Sequence, residues 1–231
     1  MIERSIADKA SSKQSTSRQG TLSAQPGKFI SLEGTEGVGK STNLTFIEEY
    51  LRNQGIDVVV TREPGGTELG EALRHLLLEH REDGVEPFAE LLMVFASRAQ
   101  HVERVIKPTL QRGSWVLSDR FTDASYAYQG AGRGVSTSFI LQLEKAIQNG
   151  LQPDLTILLD IDVQIGLERA RGRGDLDRFE REDIAFFERV REGYHSRITQ
   201  FPGRYHVVDA SRKLEDVQEA IADGLAELLA A

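Results

Sequence analysis

The chain has 231 residues, of which 39% are hydrophobic and 28% charged, a balance that suits one globular domain with a substantial apolar core. Acidic residues outnumber basic ones by 36 to 28, and the net charge of −8 argues against a basic surface that binds nucleic acid nonspecifically. The absence of cysteine excludes disulfides, thiolate metal sites and a cysteine nucleophile.

The hydropathy pattern bears on where the protein works. No run of residues approaches the roughly 18 consecutive apolar residues that span a membrane. The first residues also lack the apolar core of a secretory signal. We therefore expect a cytoplasmic protein with neither a membrane nor a nucleic-acid partner.

The first 27 residues are predicted to form a disordered extension. They are rich in Ser, Thr, Gln and Lys, and their few aliphatic residues follow no period. Such a segment cannot bury enough apolar surface to offset the entropy of ordering it. The folded domain is predicted over residues 28–231.

From residue 28 onward, predicted strands alternate with predicted helices. The predicted strands are 28–33, 57–61, 114–118, 155–161 and 205–209. The predicted helices are 41–53, 68–79, 87–107, 136–149, 163–171, 180–200 and 214–229. Pro108 and Gly113 are interpreted as the end of the long helix that begins at residue 87. This alternation predicts an α/β fold with a parallel sheet covered on both faces.

A glycine-rich loop between the first predicted strand and helix is the strongest functional signal. It matches the pattern GxxxxGK[ST] and consists of Gly34, Thr35, Glu36, Gly37, Val38, Gly39, Lys40 and Ser41. Glycines let backbone N–H groups surround a phosphate at a helix N-terminus, which attracts the anion. Lys40 can reach the β- and γ-phosphates, and the Ser41 hydroxyl can ligate Mg²⁺. The motif predicts binding of a nucleoside triphosphate.

Triphosphate binding alone does not distinguish a switch, a motor and a kinase. A GTPase switch should carry an NKxD guanine-reading motif and a DxxG loop, and neither occurs. Arginines instead follow several predicted strands, at the sheet edge where ligands lie. Several guanidinium groups suit phosphoryl transfer between two anionic substrates. An ATP-dependent binding module without transfer activity is the alternative outside the enzymes.

Four further segments resemble the signature segments of bacterial thymidylate kinase. They are TREPGGTELG (61–70), SDRFTDASYAYQGAGRG (118–134), PDLTILLDI (153–161) and RARGRGDLDRFE (169–180). The resemblance implies a three-layer P-loop NTPase fold with a five-stranded parallel sheet flanked by helices, and a mobile lid at about 170–180. It also implies transfer of the ATP γ-phosphoryl group to dTMP, giving dTDP and ADP for dTTP supply, with Mg²⁺ and a homodimer. Another nucleotide kinase of the same fold remains the alternative among enzymes.

The resemblance also implies roles for particular residues in catalysis. Asp119 would lie near Mg²⁺ together with Ser41, and Arg120 would bind the phosphate of dTMP. Glu36 stands where some thymidylate kinases carry a basic residue, so the lid is expected to supply the catalytic arginine. Arg173 is assigned that role, with Arg178 as the alternative. The predicted catalytic set is Lys40, Asp119, Arg120 and Arg173.

The dTMP site is implied by further matching positions. Arg98 would hydrogen-bond the thymine, and Tyr128 would lie against the sugar. Val94 stands where an aromatic side chain usually stacks on the base, so either Phe95 takes that place or the base is sandwiched differently. The predicted dTMP-binding set is Glu36, Arg62, Phe95, Arg98, Arg120, Ser125, Tyr128 and Gln129. Asp160 is interpreted as structural, and the five histidines as surface or packing residues.

Overall fold

The computed structural model describes residues 26–172 and 177–231. Five parallel strands form one sheet in the order β2-β3-β1-β4-β5. The strands are β1 (Phe29–Glu33), β2 (Val58–Arg62), β3 (Trp115–Asp119), β4 (Leu155–Asp160) and β5 (Tyr205–Asp209). The strand that precedes the glycine loop is therefore central, and all five of its residues are buried. The prediction of a helix-flanked parallel sheet is confirmed.

Helices cover both faces of this sheet. They are α1 (Lys40–Asn53), α2 (Glu68–Leu78), α3 (Pro87–His101), α4 (Lys107–Gln111), α5 (Thr122–Ser125), α6 (Thr137–Gln148), α7 (Val163–Arg171), α8 (Ile184–Gln200) and α9 (Leu214–Ala230). No helix within the two described ranges is both long and apolar enough to cross a membrane.

Alternate residues of β1 pack into two different apolar clusters, because successive side chains of a strand point to opposite faces of the sheet. Ile30 packs on one face in a cluster with Ile47 of α1 and Ile221 of α9. Phe29 packs on the other face in a cluster with Val102 and Ile106. The two faces are thus both apolar, which explains why the strand reads as a nearly continuous hydrophobic run.

The long helix predicted from residue 87 does not end at Pro108. A π-helical turn, Val102–Ile106, joins α3 to α4, and Pro108 lies in the first turn of α4. The Lys107 N–H bonds to the carbonyl five residues earlier rather than four, so the chain is wider there. The wider turn accommodates the Pro108 ring, which would otherwise collide with the preceding turn. At a helix start, the N–H that proline lacks would have no helical partner in any case.

Two other expectations need correction. Phe88 and Leu92 of α3 are 55% and 50% exposed, although their spacing from Leu91 and Phe95 is typical of a buried helix face. The segment after β3, for which no helix was predicted, forms α5 and then a second π-helical turn, Tyr126–Gly132. This turn packs against α8, where Phe186 and Phe187 are buried.

Candidate active site

A cavity opens at the carboxyl end of the sheet, in front of the glycine loop. Residues 36–41 form one side of it. The other walls come from the loop after β2, from α2 and α3, from the segment after β3, and from residues 177–180. Ligands of open α/β sheets bind at this edge, where loops from several strands converge. The cavity thus collects side chains from all the signature segments except 153–161.

The glycine loop takes the compact shape that its sequence predicts. Gly37 has a φ of 74°, and a Cβ atom there would lie 1.8 Å from the carbonyl oxygen of Gly166. Only glycine fits both conditions. The Lys40 ammonium donates to the carbonyls of Gly34 (3.2 Å) and Thr35 (2.9 Å), which fold the loop around it. Burial and the nearby Arg120 lower the pKa of Lys40.

Arg120 is held rigidly at the end of β3. Its φ is 67°, a left-handed conformation that is uncommon for a residue with a side chain. Two hydrogen bonds fix that backbone: its N–H donates to Leu32, and its carbonyl accepts from the Ser118 hydroxyl. The guanidinium Nη2 donates to Glu36 Oε1 (2.6 Å) and to the Tyr128 hydroxyl (2.8 Å). The buried Nε atom has no hydrogen-bond partner.

Glu36 carries a negative charge in this cavity. Burial by itself raises the pKa of a carboxyl group, but Arg120 and Lys40 outweigh burial and lower the pKa of Glu36 to about 2. The Tyr128 hydroxyl also donates to Glu36 Oε1, at 3.0 Å. Glu36, Arg120 and Tyr128, which come from two separate signature segments, therefore form one hydrogen-bonded group.

Asp119 and Ser41 meet at the other end of the glycine loop. Both line the main cavity and also a groove beside it. Asp119 Oδ1 is buried without a hydrogen-bond partner. Within the described residues, no group of three or more His, Cys, Asp or Glu side chains could hold a metal ion. A metal ion here would need ligands from outside the protein as well.

The residues predicted around the base are divided between the cavity wall and the layer behind it. Tyr128, Gln129 and Val94 line the cavity. Phe95 is buried in a cluster with Leu91 and Tyr126, which leaves it outside the cavity wall. Phe121, which sequence reasoning did not select, supplies an aromatic side chain to the wall.

Arg98 and Ser125 are buried directly behind the wall, and each has a polar atom without a partner. Arg98 donates through Nε to Glu63 Oε2 (2.6 Å) and through Nη2 to the Phe121 carbonyl (3.1 Å). Its Nη1 and the Ser125 hydroxyl have no hydrogen-bond partner. Buried polar groups are almost always paired, and these two atoms are among the exceptions in the part of the chain that the structure describes.

Two arginines in the TREPGGT segment and the following helix differ in their placement. Arg62 forms an ion pair with Glu71 (2.7 Å) and lies in the adjoining groove. Arg74, which the sequence analysis did not select, lines the main cavity and donates to the Pro64 carbonyl at 3.1 Å. Burial, Arg62 and Arg120 all lower the pKa of Arg74. In the sequence, Arg74 is marked only by its position in the first helix after the TREPGGT segment.

The predicted lid is described only in part. Arg173 lies outside the described residues. Arg178 donates through Nε to the Leu77 carbonyl and through Nη2 to Glu90, both at 2.7 Å. It therefore ties residues 177–180 to α2 and α3. Asp160 pairs with Arg191 and lies away from the cavity, which agrees with a structural role.

Comparison with known proteins agrees with this geometry. A family model described as thymidylate kinase matches residues 32–221. The thymidylate kinase of Teredinibacter turnerae is 60% identical over 203 residues, which are 88% of this chain and 99% of the relative. That of Hahella chejuensis is 58% identical over 204 residues, covering 88% and 98%.

A solved thymidylate kinase structure also resembles this chain. The crystal structure of thymidylate kinase from Ehrlichia chaffeensis superposes with a TM-score of 0.72 at 34% identity. The match covers 88% of this chain and all of that one. The glycine loop, the five-stranded sheet and the sequence relatives therefore agree, and the chain belongs to the thymidylate kinase family.

Proposed function

We propose that this chain carries out the dTMP kinase reaction of its family in the cavity described above. The reaction transfers the γ-phosphoryl group of ATP to dTMP and yields dTDP and ADP. One observation carries the proposal: the glycine loop, the Asp119-Arg120 pair and the Tyr128-Gln129 pair all line a single cavity. A donor phosphate, an acceptor phosphate and a nucleoside need three such groups of side chains side by side.

The donor triphosphate would lie along the glycine loop. Backbone N–H groups of this loop and the N-terminus of α1 attract phosphate oxygens. Lys40 would exchange its bonds to loop carbonyls for phosphate oxygens. Its ammonium would then stabilise the charge that spreads over the transferring group.

The acceptor phosphate would lie between the two arginines of the cavity wall. Arg120 Nε is buried without a hydrogen-bond partner, and Arg74 donates to a backbone carbonyl, that of Pro64. Two guanidinium groups provide the bidentate donors that phosphate geometry favours. Glu36 would hold Arg120 in place. It also occupies the loop position at which some thymidylate kinases carry a basic residue.

The base would lie against Val94 and Phe121, with polar contacts at its edge. Gln129 lines the cavity, and Arg98 Nη1 and the Ser125 hydroxyl are the unpaired atoms behind its wall. Tyr128 would lie next to the sugar. Phe95 is buried in the core, so the aromatic residues available to the base are those that line the cavity, Phe121, Tyr128 and Phe179.

Ser41 and Asp119 fit a magnesium ion. The unpaired Asp119 Oδ1 and the Ser41 hydroxyl are hard oxygen donors, and Mg²⁺ usually combines one or two such ligands with water and substrate phosphates. When bound, Mg²⁺ neutralises charge on the phosphate oxygens. The protein's own contribution is to orient these two oxygens toward the glycine loop.

Arg173 is proposed as the catalytic arginine that bridges donor and acceptor. The proposal rests on the resemblance, in which a lid arginine acts when the glycine loop carries an acidic residue. Arg178 is engaged by Leu77 and Glu90, which makes it the anchor of this segment.

A homodimer is proposed to form through α3 and α6. Phe88 and Leu92 of α3 are 55% and 50% exposed, and Leu141 of α6 is 40% exposed. The Phe88 ring contacts Phe139 of α6 at a centroid distance of 5.5 Å, so these apolar side chains adjoin. Light scattering should give a dimer mass for the wild type and for Ile165→Glu, a matched change on exposed α7. It should give a monomer mass for Leu92→Glu.

A coupled ADP-release assay with a panel of monophosphates tests the function. Turnover should be strong with dTMP, weaker with dUMP, and close to background with AMP, GMP or CMP. Equal turnover of AMP would favour another nucleotide kinase of this fold. Binding of ATP without ADP release on any monophosphate would favour a binding module.

A further inference from the structure

The carboxylate of Glu90 joins three parts of the site from a fully buried position on α3. Its exposed fraction is 0%. Oε1 accepts from Gln129 Nε2 at 2.9 Å. Oε2 accepts from Arg178 Nη2 at 2.7 Å and from Arg133 Nε at 3.3 Å. A single side chain thus contacts Gln129 of the cavity wall, Arg133 directly after the second π-helical turn, and Arg178, the anchor of residues 177–180.

The contact with Glu90 fixes the orientation of the Gln129 amide. Both oxygens of the Glu90 carboxylate accept hydrogen bonds, Oε1 from Gln129 and Oε2 from the two arginines. The amide must therefore turn its NH₂ group toward Glu90, an assignment that follows from the partner. Its carbonyl oxygen is then the end that can accept from a ligand. Because Gln129 lines the cavity, the wall presents an acceptor at this point.

An acceptor on the wall distinguishes two pyrimidines of the same size. The N3 atom of thymine carries a hydrogen and donates, whereas the N3 atom of cytosine accepts. A polar site rejects a ligand that leaves its groups unpaired much more strongly than it rejects a small difference in size. The orientation of one amide can therefore select a pyrimidine dione over cytosine.

We propose that Glu90 is a positioning residue for base selectivity, which holds the Gln129 amide with its carbonyl toward the base. The inference rests on the proposed function, since it assumes that the nucleoside lies against Gln129. Arg133 and Arg178 contribute by holding the Glu90 carboxylate in place. Docking of residues 177–180 thereby supports the wall that reads the base.

The test compares Glu90→Gln with Glu182→Gln as a matched control. Glu182 forms an ion pair with the same Arg133, at 2.7 Å, whereas Gln129 and Arg178 donate to Glu90. In Glu90→Gln, residue 90 can donate as well as accept, so the Gln129 amide can turn either way. The readout is the ratio of kcat/KM for dTMP to kcat/KM for dCMP, measured at high enzyme concentration.

Glu90→Gln should lower this selectivity ratio about three- to tenfold, the size of one net hydrogen bond. Glu182→Gln should change it less than about twofold, as for a partly exposed ion pair. An unchanged ratio in folded Glu90→Gln, with both substrates affected equally, would reduce Glu90 to a structural residue and overturn the proposal. If Glu90→Gln does not fold, Glu90→Asp, which keeps the charge but shortens the reach to Gln129, must lower the ratio in the same way.

A second measurement separates this inference from the proposed function. Hydrogen exchange of the ligand-free protein reports on residues 177–180, since the Arg178 N–H bonds to the Leu78 carbonyl. Glu90→Gln should exchange at least about fivefold faster there than Glu182→Gln, because it loses a charge-assisted bond. Absence of dTMP turnover in the wild type would refute the proposed function, and unchanged exchange would refute the anchoring role of Glu90.

Discussion

Glu33, at the end of β1, should make the folded protein less stable as the pH rises. Its carboxylate is buried between the Phe121 N–H, which donates to Oε1 at 2.7 Å, and the Tyr194 hydroxyl, which donates to Oε2 at 2.9 Å. Burial and then Asp123 raise its pKa from 4.5 to about 8, against the opposing effect of these hydrogen bonds and Arg120. The folded state therefore holds a proton that the unfolded chain has released.

The sign and size of the effect follow from this difference. Between pH 4.5 and about 8 the folded protein binds more protons than the unfolded chain, so the free energy of unfolding falls as the pH rises. One pKa unit corresponds to about 1.36 kcal/mol. Above pH 8 the free energy of unfolding has therefore fallen by at most about 5 kcal/mol. At pH 5 this decrease is still less than about 1 kcal/mol.

Glu33→Gln removes this pH-dependent loss of stability, and it keeps the hydrogen bonds with Phe121 and Tyr194. The amide oxygen can accept from the Phe121 N–H, and the amide NH₂ can donate to the Tyr194 oxygen. We expect the variant to match the wild type near pH 5 and to exceed its stability by several kcal/mol at pH 9, up to about 5 kcal/mol.

Urea unfolding followed by the fluorescence of Trp115, the one tryptophan in the sequence, measures these differences at pH 5, 7 and 9. Tyr194→Phe is the control, because it removes a bond that favours the ionised carboxylate and should leave the fall in stability with pH in place. A stability difference between Glu33→Gln and the wild type that stays constant from pH 5 to pH 9 would refute the reasoning.

Three predictions concern catalysis. Lys40→Ala should lower kcat for ADP release at least about 10²-fold, because it removes the charge on the transferring group, and a thermal melt should show that the fold is kept. Arg173→Ala should lower kcat at least about a hundredfold with little change in KM for dTMP. Normal turnover of that variant, with loss in Arg178→Ala, would transfer the role to Arg178. Deletion of residues 1–26 should leave kcat/KM within about twofold, since the composition of this segment predicts that it positions no catalytic group.

The sequence predicted most of what depends on local pattern. The glycine loop has a spacing that its chemistry requires, and each of the five strands begins within one residue of its predicted start. Buried parallel strands read as short apolar runs, and this signal needs no information from elsewhere in the chain. The order of the strands required the family resemblance, because periodicity does not encode which strands are neighbours.

Placement of side chains relative to the cavity could not be predicted in the same way. Phe95 and Val94 differ by about 100° around a helix, and the neighbours of α3 decide which of them faces the ligand. The π-helical turn after α3 and the use of Phe121 in the cavity wall likewise depend on packing. Arg74 and Glu90 were missed because charged residues on predicted helices are usually solvated, and only the structure reveals that these two are turned inward.

Several arginines of the predicted lid segment are candidates for the catalytic arginine, and their contacts in the structure help to distinguish them. Four arginines lie between residues 169 and 178, and the sequence favours Arg173 by its position between two glycines and by the family resemblance. Arg169 donates to the Ala210 carbonyl at 2.9 Å, on the far side of α7, and Arg178 is held by Leu77 and Glu90. An arginine that stabilises a transition state must be free to reach the transferring phosphoryl group. Arg169 and Arg178 are thus engaged in other contacts, and the turnover of Arg171→Ala and Arg173→Ala, measured beside that of Arg178→Ala, tests the proposal that Arg173 acts on this group.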